Sequence, residues 1–339
     1  MIHELKEIIN QAVINQKKEL KNVLATVVYL EGSSYRKPGV RMLISEDLSS
    51  IGSVSGGCVE KEIIHRAKSV FIDNKPKIIT YDGRYKLGCE GVIYVLIEPF
   101  FITNNFTNHF SNALLKREKF KIESHFIKEN EAFGNFGSVV TFENNKQIEF
   151  SKTFTIKKNS KLELFSQIIE PSFKLIIIGS EHDAVKLCQI SCNLGWEVDV
   201  ITSIKDNKGI KDFPGANSVT SNSPETIQFS NIEDNTALVI MNHNYVQDLK
   251  YVIKLAEYKP KYIGIIGAPQ RREQLFNELF EFVPDICENF LESIYTPAGL
   301  HIGAETPEEI AISIVAEILS VIRKKEPFSL RNLTGKIYN

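Results

Sequence analysis

Apolar positions in the first 19 residues recur at helical spacing, with Ile2, Leu5, Ile8, Ile9, Ala12 and Val13 on one stripe, so the chain opens with an amphipathic helix. NVLATVVYL (22–30) is a β-branched run and predicts a strand. A turn-rich GSSYRKPG follows, and VRMLIS (40–45) and SIGSVSG (50–56) then read as a hairpin whose glycine-rich end opens a helix near Cys58 that runs to about Asp73. KIITYD (77–82) and GVIYVLIEPF (91–100) are two further strands. From 101 to 160 the composition turns to Asn, Lys and Phe, and weak alternation in KFKIESHFI, GSVVTF and IEFSKTFTI fits an antiparallel sheet elaborating the first domain.

At KLIIIGS (174–180) the pattern changes to strands apolar on both faces, each followed by a helical stretch: EVDVIT (197–202), ALVIMN (237–242) and YIGIIG (262–267) continue the series. That alternation predicts a Rossmann-like, doubly wound parallel sheet, preceded by an N-terminal αβ domain with a mixed sheet. The domains are expected at 1–160 and 170–327, with the boundary near 156–172 and a tail at 328–339. The last helix should run from about Pro307 to Lys325, with Thr306 as N-cap and Glu308 and Glu309 against the positive end of its dipole.

Composition narrows the function. A formal net charge of -2 with Lys and Glu interleaved removes the electrostatic case for nucleic acid. No apolar run reaches the roughly 20 residues of a membrane helix, and the charged N-terminus is unlike a signal peptide, so a cytoplasmic protein is expected. Five cysteines without CxxC spacing argue against a disulfide framework or a zinc ribbon.

Two loops of the first domain carry chemistry. Cys58 follows Gly56 and Gly57 at a helix start, where free amides and the dipole favour an anion and lower a thiol's pKa. Cys89 lies in LGCEG beside Gly88. Two thiolates with backbone amides would suit an anionic or soft-metal ligand; equally, glycines make tight turns and cysteine fills space beside them. In the second domain the strand-to-helix turn reads Gly179, Ser180, Glu181, His182, Asp183, Ala184, a dinucleotide loop whose second glycine is replaced by a carboxylate able to satisfy the amides a phosphate would use. Thr202 and Ser203 stand where an acidic ribose ligand belongs, which argues against NAD(P). Further strand ends contribute His243 and Gly267, and Arg271 and Arg272 open the next helix as an anion clamp or as solvated side chains. Cys188 and Cys192 share a helix face and read as core residues, and Cys287 receives the same packing reading.

The segments EGSSYRKPGVRMLI (31–44), IGSVSGGCVEKEI (51–63), LGCEGVIYVLIEP (87–99), IIIGSEHDAVKLCQISCNLGWEVDV (176–200), YIGIIGAPQRR (262–272) and PAGLHIGAETPEEIAISIVAEIL (297–319) together resemble the XdhC/CoxI family, maturation factors of molybdenum hydroxylases such as xanthine dehydrogenase. The resemblance implies an accessory protein, rather than an oxidoreductase, that binds the molybdenum cofactor transiently. It also implies support for sulfuration by a cysteine desulfurase and delivery to an apo molybdenum hydroxylase. Its cofactor contacts would fall on Arg36, Gly56, Gly57, Cys58, Glu60, Gly88, Cys89, Gly179, His182, His243, Gly267, Arg271 and Arg272, with Cys58 and Cys89 as candidate molybdenum contacts. A homodimer is the expected assembly. Two departures bear on nucleotide binding: the family's GxGHxA loop has Glu181 here, and its GCGG loop has Glu90. The rival readings are an NAD(P)-dependent oxidoreductase using the second domain and a recruitment module that holds no cofactor.

Overall fold

A computed structural model describes residues 2–32, 37–83, 91–143, 145–156, 161–229, 232–233, 235–258 and 260–334, the side chain of Cys58 excepted. The chain divides into two compact units, Met1–Pro171 and Ser172–Asn339.

In the first unit, α1 (Ile2–Lys17) leads to β1 (Asn22–Gly32), β2 (Arg41–Ser45), β3 (Ser50–Gly52), α2 (Cys58–Asp73), β4 (Lys77–Asp82) and β5 (Gly91–Pro99). Next come α3 (Asn104–Leu115), β6 (Phe120–Phe126), β7 (Ala132–Phe133), β8 (Gly137–Thr141), β9 (Gln147–Glu149) and β10 (Glu163–Ile169). They form a six-stranded sheet, β3-β2-β1-β5-β4-β7, and a four-stranded sheet, β10-β6-β8-β9. Where a mixed sheet is expected, each pairing described in this unit is antiparallel. The second strand of the first hairpin stops at Gly52 rather than running to Gly56, because Gly52 turns to a φ of +81°, where a Cβ would meet the Arg41 carbonyl oxygen at 2.5 Å.

β1 is buried on both faces, which explains its unbroken apolar run. Val23, Ala25 and Val27 pack with Val59, Ile63, Ala67 and Val70 of α2. On the opposite face Leu24 joins α1, α3 and the second sheet through Ile8, Phe106, Phe120, Ile122 and Val140. Helix α3 has no counterpart in the sequence reading of 101–160. Its Asn-rich sequence has low helix propensity, and Thr103, which caps it by accepting from the Phe106 amide at 3.1 Å, together with burial of Phe106, Phe110 and Ala113, outweighs that.

A polar group of side chains lies buried in this unit. Glu98 accepts from the Ser138 amide at 2.9 Å and the Ser138 hydroxyl at 2.6 Å, and Ser138 meets Ser124 at 2.8 Å. Arg41 donates through Nη1 to the Gly39 carbonyl at 2.8 Å and Gln167 Oε1 at 2.7 Å, while its Nε and Nη2 are buried without partners among the described residues. Burial pushes Glu98 up to about 7, against the pull of the Ser138 hydrogen bonds and the Arg41 charge, and burial lowers Arg41 to about 10.

The second unit runs β11 (Lys174–Ile178), α4 (His182–Asn193), β12 (Glu197–Thr202), β13 (Ser218–Ser221), β14 (Thr236–Ile240), α5 (Tyr245–Leu255), β15 (Tyr262–Ile265), α6 (Gln270–Phe282), α7 (Glu288–Glu292), β16 (Ile294–Tyr295) and α8 (Pro307–Arg323). Each pairing described here is parallel, in the order β13-β12-β11-β14-β15-β16, the order in which dinucleotide folds place their strands. Leu175 and Ile177 face α4 and α8, whereas Ile176 and Ile178 face α5, α6 and α7, so β11 is covered on both sides. The short strands β13 and β16 escape the sequence reading because neither carries a long apolar run. Thr306 caps α8 as expected: its Oγ1 accepts from the Glu309 amide at 3.3 Å, and Glu309 Oε2 accepts from the Thr306 amide at 3.0 Å. No helix among the described residues is long and apolar enough to cross a membrane.

Candidate functional site

The turn from β3 to α2 is built around Glu60. Its Oε1 accepts from the Ser53 hydroxyl at 3.0 Å, the Val54 amide at 3.1 Å and the Ser55 amide at 2.8 Å, while Oε2 is buried without a partner among the described residues. Burial alone would raise this carboxyl, but the bonds from Ser55, Ser53 and Val54 outweigh it and hold the group below its ordinary value. Glu60, expected as a cofactor contact, therefore pins the loop from behind. The glycines beyond it are exposed, and a Cβ on Gly56 or Gly57 would meet nothing within 4 Å among the described residues. Gly57 has a φ of 62° and no side chain with which to cap α2, and the Glu60 carboxylate also accepts from its own amide in the first turn of that helix. Cys58 is the first helical residue, as its position after the glycines suggests. Its thiol, together with Arg36, Gly88, Cys89 and Glu90, lies outside the described residues.

In the second unit the strand ends gather between β11 and β14, where the strand order reverses. Gly179 is there because nothing else fits: at φ +147° its Cβ would come within 2.5 Å of the Met241 carbonyl oxygen. Glu181 occupies the N-cap position of α4 but makes no capping hydrogen bond, so the expectation that its carboxylate satisfies the loop amides is corrected; the side chain is exposed. His182 is exposed beside it. The residues that do hold the loop come from the β12–β13 connection: the Ser180 hydroxyl donates to Asp206, and Lys208 donates to the Ser180 carbonyl. Thr202, at the usual ribose position, is turned to Ser221 at 2.9 Å. No motif marks Asp206 and Lys208 in the sequence; the one signal is a pair of opposite charges in the polar loop just past β12.

His243 adopts a left-handed φ of 53° and brings its Nε2 to 3.9 Å from Asp183 Oδ2, joining the ends of β14 and α4. Asp248, also absent from the sequence reading, is buried one turn into α5 and takes a hydrogen bond from Asn242 Nδ2 at 3.2 Å; burial raises its pKa, which Asn242, Arg271 and His243 partly offset. Arg271 folds back over Gly267, where a Cβ would come 3.2 Å from its Cδ, and lies 5.3 Å from the Tyr245 ring centre. Arg272 instead stacks along its own helix on Phe276 at 5.4 Å, so the expected two-arginine clamp reduces to one. The strand ends thus offer one fixed guanidinium, a half-exposed imidazole and two carboxylates. Such a set suits a ligand that is anionic at one end and hydrogen-bonding at the other.

Cys188 is fully buried against the α8 side of the sheet, with Cys192 half-buried and their sulfurs 4.0 Å apart, in keeping with the packing reading. Cys287 departs from it, being exposed at the N-cap of α7. Among the described residues no three His, Cys, Asp or Glu side chains come together as a metal-binding group.

The model of the XdhC and CoxI family matches residues 16–82, and that of the XdhC Rossmann domain matches residues 175–318. A protein from Bacillus subtilis (strain 168), named as a probable xanthine dehydrogenase component, is 31% identical over 323 residues, covering 89% of this chain and 93% of that protein. This chain belongs to the XdhC and CoxI family. A further relative, molybdenum cofactor insertion chaperone PaoD of Escherichia coli (strain K12), is 22% identical over 304 residues, covering 88% of this chain and 83% of PaoD. The crystal structure of a xanthine dehydrogenase from Bacillus halodurans superposes with a TM-score of 0.76 at 26% identity, over 94% of this chain and 96% of that one. The match to the XdhC Rossmann domain model spans both the Gly179 turn and Arg271.

Proposed function

We propose that this protein is a maturation factor for a molybdenum hydroxylase of the xanthine dehydrogenase type. It receives the molybdenum cofactor as cargo, holds it while persulfide sulfur from a cysteine desulfurase, reduced to sulfide by two electrons from excess thiol, replaces a molybdenum oxo ligand that leaves as water, and passes it to the apo-enzyme. The observation that carries this reading is the alignment with a molybdenum cofactor insertion chaperone over 88% of the chain.

The residues of the first unit fit that cargo. The molybdenum cofactor presents a phosphate and a sulfur-ligated metal. The open Gly56–Gly57 turn leaves the start of α2 without a capping side chain at Gly57 and is followed by the Cys58 thiol, while Glu60 holds the loop in place through Ser53, Val54 and Ser55. The chain also has only five cysteines and lacks the cysteine-rich segments that iron–sulfur clusters require, which separates it from a catalytic hydroxylase component carrying them.

The test is maturation in vitro. Apo-hydroxylase, molybdenum cofactor, a cysteine desulfurase and cysteine are incubated anaerobically with and without this protein. Hydroxylase activity that depends on its addition supports the reading, and equal activation without it contradicts the reading. The strand order favours one rival, an NAD(P)-dependent oxidoreductase. Since Thr202 and Ser203 replace the ribose carboxylate, titration with NADH or NADPH is expected to show no saturable change in fluorescence at micromolar concentrations.

A further inference from the structure

Among the described residues each sheet has two edges, and five of the six edge strands are short. β3 and β9 have three residues, β7 and β16 have two and β13 has four. β10 has seven, and its register with β6 runs from Glu163 opposite Phe126 to Ile169 opposite Phe120 without a shift. Exposed edges are ordinarily blunted by lysine, proline, a bulge or brevity, because each leaves a row of unpaired backbone donors and acceptors. Within ELFSQII none of these devices is present. Its outward face instead carries Leu164, 53% exposed, Ser166, and Ile168, 55% exposed.

The arrangement is symmetric about Ser166. If a second copy of this strand lies antiparallel beside the first with Ser166 opposite Ser166, Leu164 of each copy falls opposite Ile168 of the other. Two apolar cross-strand pairs then flank a small residue at the two-fold axis, with no charge on that face between Leu164 and Ile168. We propose that β10 is a self-association edge, through which two copies of this chain join their four-stranded sheets into a continuous eight-stranded one. A different chain's strand would need no such palindromic placement. The contact itself buries less than the ~1,200 Å² of standard interfaces, so the dimer dissociates in the micromolar range.

Light scattering on the full-length protein, from about 1 to about 100 µM, is expected to show the mass rising from monomer to dimer. Ile168→Lys is expected to remain monomeric over that range with an unchanged circular dichroism spectrum and melting temperature. Register is read separately by cysteine cross-linking, which does not require a destabilised edge. Opposed residues lie about 4.5–5.5 Å apart and within disulfide reach. Ser166→Cys should therefore give a covalent dimer under mild oxidation, beyond any background from wild type with its exposed Cys287. Leu164→Cys should not, since its own copy lies about 13 Å away along the strand. A wild type that stays monomeric at the highest concentration overturns the proposal, as does a dimer that folded Ile168→Lys leaves intact or that Leu164→Cys cross-links as readily as Ser166→Cys.

Discussion

Two carboxylates in the first unit show how one residue type serves opposite ends. Glu60 is ionised because three donors converge on it, and it orders the loop before the glycines. Replacing it by alanine should cost about 2 kcal/mol of stability at neutral pH by chemical denaturation. Because its folded pKa is depressed, that contribution is present above the ordinary value of 4.5 and is lost as pH falls through the lowered folded pKa; the variant and wild type should converge in acid. Glu98 works the other way. With its folded pKa raised to about 7, the unfolded chain releases the proton first, so stability falls as pH rises from about 4.5 to about 7 and is level beyond. That span corresponds to about 3 kcal/mol. Glu98→Gln should flatten the decline between pH 5 and pH 8, and parallel pH profiles for the two proteins would contradict this assignment. Neither role was legible in the sequence, where Glu60 is one polar residue in a helix start and Glu98 one interruption in an apolar strand.

At the scale of elements, periodicity sufficed where burial is one-sided or complete. α1, β1, α2 and the strands β11, β12, β14 and β15 of the second unit fall where the pattern of apolar positions puts them. It failed where tertiary contacts overrule local preference, as in α3, and where a strand is too short to show a period, as in β7, β13 and β16. Local cap chemistry proved more readable: Thr306 caps the start of α8 as expected, and Glu309 adds the return bond of a capping box. Thr306→Ala should cost about 1 kcal/mol, measured by urea unfolding, and leave the fold unchanged.

Over the whole molecule, what sequence could convey about the site was its glycines and what it could not was the direction of side chains. Gly57 and Gly179 stand at positions of positive φ, the first facing open space and the second a carbonyl oxygen. By contrast, the divergence of Arg271 from Arg272 and the reach of Asp206 and Lys208 to Ser180 depend on rotamers and loop paths that no motif encodes. In the proposed function the open Gly56–Gly57–Cys58 turn is the place where cargo is held. The most direct measurement is anaerobic incubation of isolated molybdenum cofactor with wild type and with Cys58→Ala, followed by gel filtration and determination of molybdenum and pterin in the protein peak. Retention of both by the wild type and loss from the variant is the predicted result; a wild type that elutes without molybdenum or pterin would contradict it.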